Sequence, residues 1–296
     1  MRRILKKILP PFLLKQAKKI VRNQRSLKRQ KLVQSGDILN LMAIEKSLLA
    51  FGLQKGDVVM VHSSLSQLGY VEGGAQTLIQ AFLNVIGEKG TLVMPSFPGL
   101  GFNADYLKTN PIFDLQKTPS SVGIISETFR KMPDVVRSLH PTEPVCASGP
   151  LAKEITNEHF GHISPYLINS PFGKLVKFKA KIIMLGVNLD TLSSLHLLED
   201  AVDDFKYPIY LKEIFTCKLI DGQGNLCEMK TKVHNPEWSK KRKCNELEQM
   251  FIRDGCLVKY KLGHAEVLLL DAEKMFDSML TNYKNKGITM YTPKGE

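Results

Sequence analysis

Three short unbroken apolar runs, "GDVVMVHSSL", "GTLVMPSF" and "KIIMLGVN", stand between segments with helical apolar spacing. No other feature constrains the fold as much. A strand that is apolar on both faces must be covered on both faces, and the intervening helices supply the cover. Those helical segments are "DILNLMAIEKSLLAFGL", "GGAQTLIQAFLNVIG", "SVGIISETFRKM" and "SSLHLLEDAV". The expected architecture is an α/β domain with a mostly parallel central sheet. After Pro208 the pattern changes. "YLKEIFTCKLIDGQGNLCEMKTKVH" sets hydrophobic runs on either side of a Gly-x-Gly turn, as in an antiparallel hairpin. It reads as a C-terminal antiparallel excursion of the same domain.

The net charge of +12 suggests a polyanionic partner until it is located. Twelve Lys or Arg and no acid lie between Met1 and Lys31, so 41 − 12 leaves 29 basic residues against 29 acids. The body is formally neutral. The tail alternates apolar and basic positions at near-helical spacing, interrupted by Pro10-Pro11. Two readings of it stand. It lies on an anionic membrane surface as a peripheral amphipathic segment on the inner face, or it is a solvated extension of the body. Nucleic-acid binding has neither aromatic nor motif support and is not expected. The tail lacks the apolar core of a secretory signal. The five cysteines form no C-x-x-C, which argues for a reducing cytoplasm and against a metal ribbon.

In open α/β sheets ligands gather at the carboxyl ends of the strands. His62, Ser63, Ser64, Leu65 and Ser66 follow the first strand, and Gly73-Gly74 open the next helix with free backbone N–H groups. Ser120 and Ser121, before Val122-Gly123, suit a helix cap or a phosphate or pantetheine contact. Arg137 in "RSLHPTEPVCASGP" has the shape to grip a phosphate bidentately. Cys146 lacks any neighbour that would activate a thiolate. "EHFGH" and "HLLE" lack the spacing of a metal site, and no metal is expected. His196 and Glu199, three apart in "SSLHLLEDAV", share a helical face. Glu199 can hold one ring nitrogen and leave the other to take a proton. A satisfied core pair would read the same way.

Taken together, these segments resemble the aminoglycoside 3-N-acetyltransferase family, the antibiotic N-acetyltransferases. The resemblance rests on "GDVVMVHSSLSQLGYVEGGAQTLIQAF", "GEKGTLVMPSF", "PSSVGIISETFR", "RSLHP", "ASGPLAKEI", "HFGH", "SPFGKL" and "IIMLGVNLDTLSSLHLLEDAV", in the family's order. It implies a three-layer α/β/α fold distinct from the Gcn5-like acetyltransferases, carried by residues 37–296 behind an extension of residues 1–36. It also implies transfer from acetyl-CoA to an amino-sugar amine, directly, in a ternary complex. His196 would be the base and Glu199 its orienting partner. His62 to Ser66, Gly73-Gly74 and the start of the "SSVGII" helix would line the acetyl-CoA site, with Arg137 on a phosphate. His140, Glu143, His159 and Asp190 are expected around the acceptor. Glu143 and the basic tail depart from the family's usual pattern. They leave a nucleotide-linked amino sugar of surface polysaccharide assembly as an alternative acceptor, and a lapsed membrane-surface binding protein as an alternative of another class. The oligomeric state stays open.

Overall fold

The computed structural model describes residues 38–295 together with Gln16. The boundary near residue 36 and the tail's expected membrane contact lie outside the described residues. Twelve strands follow in chain order: β1 (Ile38–Leu39), β2 (Val58–Ser63), β3 (Tyr70–Val71), β4 (Thr91–Pro95), β5 (Ile112–Asp114), β6 (Val136–Arg137), β7 (Val145–Ser148), β8 (Lys181–Leu185), β9 (Phe215–Ile220), β10 (Leu226–Thr231), β11 (Leu257–Leu262) and β12 (Ala265–Asp271). Seven of them form the main sheet, in the order β11-β12-β8-β2-β4-β7-β6.

The sheet is mixed, which corrects the expectation of a mostly parallel one. β8, β2 and β4 run parallel at its centre. β7 joins β4 antiparallel, β6 joins β7 antiparallel, and β12 and β11 extend the other side antiparallel. Connection length explains the difference. Gly263 and His264 alone link β11 to β12, whereas a parallel pair needs a crossover of about a dozen residues or more. The hairpin expected around "DGQGN" is present as β9 and β10, with Leu226 opposite Ile220. It lies off the main sheet, in a smaller sheet with β5.

Alternate residues of the central strands feed two cores. Val58, Met60, Val93, Ile182 and Met184 enter one, with the helices Pro171–Lys177 and Ala272–Lys286. Val59, Val61, Leu92, Ile183 and Leu185 enter the other, with the helices Leu41–Ala50, Ala75–Ile86 and Ile124–Arg130. A strand that is buried on both faces has a continuous apolar run, and this is the pattern of the sequence. Helix Ala75–Ile86 does start behind two glycines, both at positive φ.

One tight contact can be tested directly. Gly149 has φ +122°, and a Cβ there would sit 2.2 Å from the Gly90 carbonyl oxygen and 2.8 Å from Thr91 Cα. Both obstacles are backbone of the neighbouring strand entry. Gly149→Ala is therefore expected to lower stability by about 3 kcal/mol, strain and overpacking together. Urea unfolding measures it, and an unchanged midpoint would refute the close approach.

Candidate active site

The three loops that leave β2, β4 and β8 converge because those strands are adjacent and parallel. Between them lies a cleft of about 490 Å³. His62 and Ser63 reach it from the end of β2, Pro95 and Phe97 from β4, and Val187, Asp190 to Ser193 and His196 from the chain after β8. Ser121, Glu143, Tyr166, His234 and Arg242 add polar side chains to its wall, beside Val122.

The segment expected as one helix is a 3₁₀ turn, Ser193–His196, that runs into a short α-helix, Leu197–Ala201. The His196 backbone is still helical, so the i, i+3 relation survives. His196 Nδ1 lies 3.0 Å from Glu199 Oε2. Glu199 is buried and holds more than one partner. His234 Nε2 lies 2.6 Å from the same oxygen, and the Tyr291 hydroxyl donates to Oε1 at 2.6 Å. Burial alone would raise the Glu199 pKa. The two imidazoles and their hydrogen bonds override it and hold the carboxyl well below its ordinary value. Burial lowers the His196 pKa to about 3, against the opposing pull of Glu199. The imidazole is thus neutral. An ionised Glu199 fixes hydrogen on Nδ1, which leaves the Nε2 lone pair for the cleft.

His196, Glu199 and His234 place one ligand-type atom each within 4.8 Å of one another. Ligands around a zinc ion stand about 3.4 Å apart for metal–nitrogen bonds near 2.1 Å. The observed separations of 3.0 and 2.6 Å are those of hydrogen bonds through Glu199.

Other expected residues divide sharply. His62, Ser63, Ser121, Val122, Glu143 and Asp190 line the cleft. His62 has an enclosed Nε2 without a partner, and burial lowers its pKa to about 4. Burial raises Glu143 to about 7, while Asn103 donates to its Oε1 at 2.5 Å. Asp190 accepts from Asn245 Nδ2 at 2.6 Å.

Ser64, Leu65, Ser66, Gly73, Gly74, Ser120 and Gly123 are not part of the cleft wall. The Ser64 and Ser66 hydroxyls bond each other at 3.3 Å. Gly123, not a serine, caps the helix Ile124–Arg130, and Ser121 donates to the Pro98 carbonyl at 2.6 Å. Arg137 is a correction. Its guanidinium is committed to the carbonyls of Ser96 and Thr118, both at 2.6 Å, and lies over Phe113. Both terminal nitrogens are thus taken by loop carbonyls and only the buried Nε has no partner, so the arginine supports loops and does not present its fork to a phosphate. His140 and His159 are also corrected. They are fully buried and stacked at 4.4 Å, away from the cleft wall. Backbone N–H groups of Thr142 and Glu143 donate to His140 Nδ1, and Ser138 pairs with His159 Nδ1. Cys146 is buried within β7 and its thiol pKa is raised by burial, so it is not an activated nucleophile.

The sequence reading missed His234, Tyr291, Tyr166 and Arg242. His234 and Tyr291 stand 35 and 92 positions from the carboxylate they hold. No local spacing could have linked them.

Residues 60–283 match the family described as aminoglycoside 3-N-acetyltransferase. The chain is 33% identical over 183 residues to aminoglycoside N(3)-acetyltransferase IX of Micromonospora chalcea, covering 57% of this chain and 64% of that protein. It is 37% identical over 176 residues to the SPbeta prophage-derived aminoglycoside N(3')-acetyltransferase-like protein YokD of Bacillus subtilis, covering 53% and 63%. The chain thus spans less than two thirds of the length of these curated relatives. The crystal structure of YokD superposes with a TM-score of 0.68 at 30% identity, covering 84% of this chain and 96% of that one. The apoenzyme of aminoglycoside acetyltransferase AAC(3)-IVa gives 0.69 at 25%, covering 85% and 91%. With a family match across most of its length and the same fold around one cleft, the chain belongs to the aminoglycoside 3-N-acetyltransferase family.

Proposed function

We propose that residues 37–296 act as one three-layer α/β/α acetyltransferase domain, unlike the Gcn5-like fold, that moves the acetyl group of acetyl-CoA to an amine of an amino sugar. Aminoglycosides are the acceptors that the relatives' names give. The observation that carries this reading is a neutral His196 on the cleft wall with Nδ1 held by Glu199.

The amine nitrogen attacks the thioester carbonyl while both substrates are bound, and alignment supplies much of the barrier reduction. As the C–N bond forms, the nitrogen becomes acidic and His196 Nε2 takes its proton. Collapse of the tetrahedral intermediate breaks the C–S bond and releases CoA, and the proton held on His196 Nε2 passes to the departing sulfur, which restores the neutral imidazole. An imidazole with its pKa lowered to about 3 is a weaker base than a histidine at its ordinary value. It therefore takes the proton during attack, not from a resting ammonium, and the acceptor amine must enter deprotonated. Ser63 and Ser121, with His62, line the cleft where pantetheine would lie, and Glu143 and Asp190 line it where an acceptor would.

Release of free thiol from acetyl-CoA, screened over aminoglycosides and other amino sugars, tests this reading. Acceptor-dependent release is the expected result, and none with any amine would overturn it. Glu199→Gln is expected to lower kcat by about 10- to 1,000-fold, because an amide nitrogen in place of Oε2 favours the tautomer with hydrogen on Nε2. Steady-state kinetics at fixed acetyl-CoA would show it, and wild-type kcat in Glu199→Gln would remove Glu199 from the mechanism.

A further inference from the structure

Arg242 has no part in the reaction above. It lies in the wall segment Ser239–Cys244, which carries four consecutive basic residues, Lys240 to Lys243. The three lysines have partners. Lys240 pairs with Glu237 at 2.6 Å, Lys243 lies 3.9 Å from Glu246, and Lys241 sits over the Trp238 ring. Arg242 differs from them. Its Nε and Nη2 are enclosed and have no hydrogen-bond partner among the described residues. These two nitrogens form the side-on edge of the guanidinium, the edge that grips a carboxylate or phosphate through two parallel bonds. Tyr291, Glu199 and Glu143 reach Arg242 through hydrogen bonding or charge. Tyr291 donates to Glu199, Glu199 is already committed to His196, His234 and Tyr291, and Glu143 holds Asn103 with one oxygen.

A guanidinium cannot shed its charge, and buried N–H donors with nothing to meet are costly. The rest of the cleft does not suit a polycation. Glu143 and Asp190 are the only acids on its wall among the described residues. Asp190 is engaged by Asn245, and Glu143 is half protonated near neutrality because burial raises its pKa to about 7.

We infer that Arg242 binds an anionic group, a carboxylate or a phosphate, carried by the acceptor, so that the amino sugar taken is an acidic one and not a polycationic aminoglycoside. The inference rests on the acetyltransferase reading and narrows its acceptor. Position assigns the anion to the acceptor. Arg242 stands near the base, its charge acting on both His196 and Glu199. The phosphates of acetyl-CoA are separated from the reacting thioester by the whole pantetheine arm.

Glucosamine, glucosamine 6-phosphate and muramic acid carry the same amine and differ in charge. Titration calorimetry without acetyl-CoA is expected to show at least about tenfold tighter binding of one acidic probe than of glucosamine. Arg242→Gln should erase that preference, and Arg242→Lys should retain part of it. In turnover, Arg242→Gln should raise KM for the acidic acceptor by about 10- to 100-fold and leave KM for acetyl-CoA unchanged. Equal binding of all three probes would overturn the inference, as would a preference that survives in Arg242→Gln. A rise in KM for acetyl-CoA alone would assign the anion to the donor. An equal fall in kcat with charged and uncharged acceptors would place Arg242 on the reacting carbonyl. Binding is read without turnover, so an inert wild type would sink the proposed function and leave the anion site standing.

Discussion

His196→Ala is expected to lower kcat by about 10²–10⁴-fold, the range a positioned general base supplies. The fold should survive, because the side chain is packed at a cleft wall and Glu199 keeps His234 and Tyr291 as donors. Two further measurements separate catalysis from damage. Thermal unfolding of the variant should stay close to wild type, and its KM for acetyl-CoA should be unchanged. Added imidazole should restore part of the rate by occupying the vacated space. The wild-type pH profile carries its own signature. Because the His196 pKa is lowered to about 3, its protonation gives no acid limb near pH 6.5. The rise of kcat/KM with pH should follow the pKa of the acceptor amine and move when the acceptor is changed. Full activity in His196→Ala, or an acid limb fixed near pH 6.5 for every acceptor, would remove His196 as the base.

What could be read from the sequence was local. β2, β4 and β8 were legible as unbroken apolar runs, and the β9–β10 hairpin was legible from "DGQGN". His196 and Glu199 were legible because three residues on a helical turn fix their relation. The direction of the outer strands was not, since an apolar run carries no sign of which neighbour it will pair with. Arg137 and the pair His140–His159 misled for a related reason. Residue type shows what a side chain can bind, and here backbone carbonyls and N–H groups bind it first. His234, Tyr291 and Arg242 arrive from the C-terminal third of the chain, and only the folded topology brings them to Glu199 and the cleft.

The buried histidines should make the protein unusually sensitive to mild acid. Burial lowers His62 to about 4 and His159 and His196 to about 3, and it holds His140 well below its ordinary value, with His159 adding to the effect. A histidine whose folded pKa is depressed contributes stability that is present above the unfolded value of 6.5 and is lost as pH falls from there toward the folded value. Glu143 works in the opposite direction. Its pKa is raised to about 7, so it keeps a proton in the fold that the unfolded chain releases, a contribution present at low pH and lost as pH rises through about 7. At pH 5.5 the four unfolded imidazoles bind about 3.6 protons and the fold almost none, while Glu143 returns about 0.9, so unfolding takes up about three protons. The slope is then about 4 kcal/mol per pH unit, large against a total stability of about 5–15 kcal/mol. Stability is expected to fall steeply between about pH 6.5 and 4.5, ahead of any loss from Glu199, whose ionised state fails only below the ordinary carboxylate range. Calorimetry at pH 7.5, 6.5 and 5.5 should show Tm falling steeply over the last step. His62→Gln should flatten the slope by about one proton's share, roughly 1.4 kcal/mol per pH unit. A Tm that holds level from pH 7 to 5 would mean that these imidazoles are hydrated and charge freely in the fold.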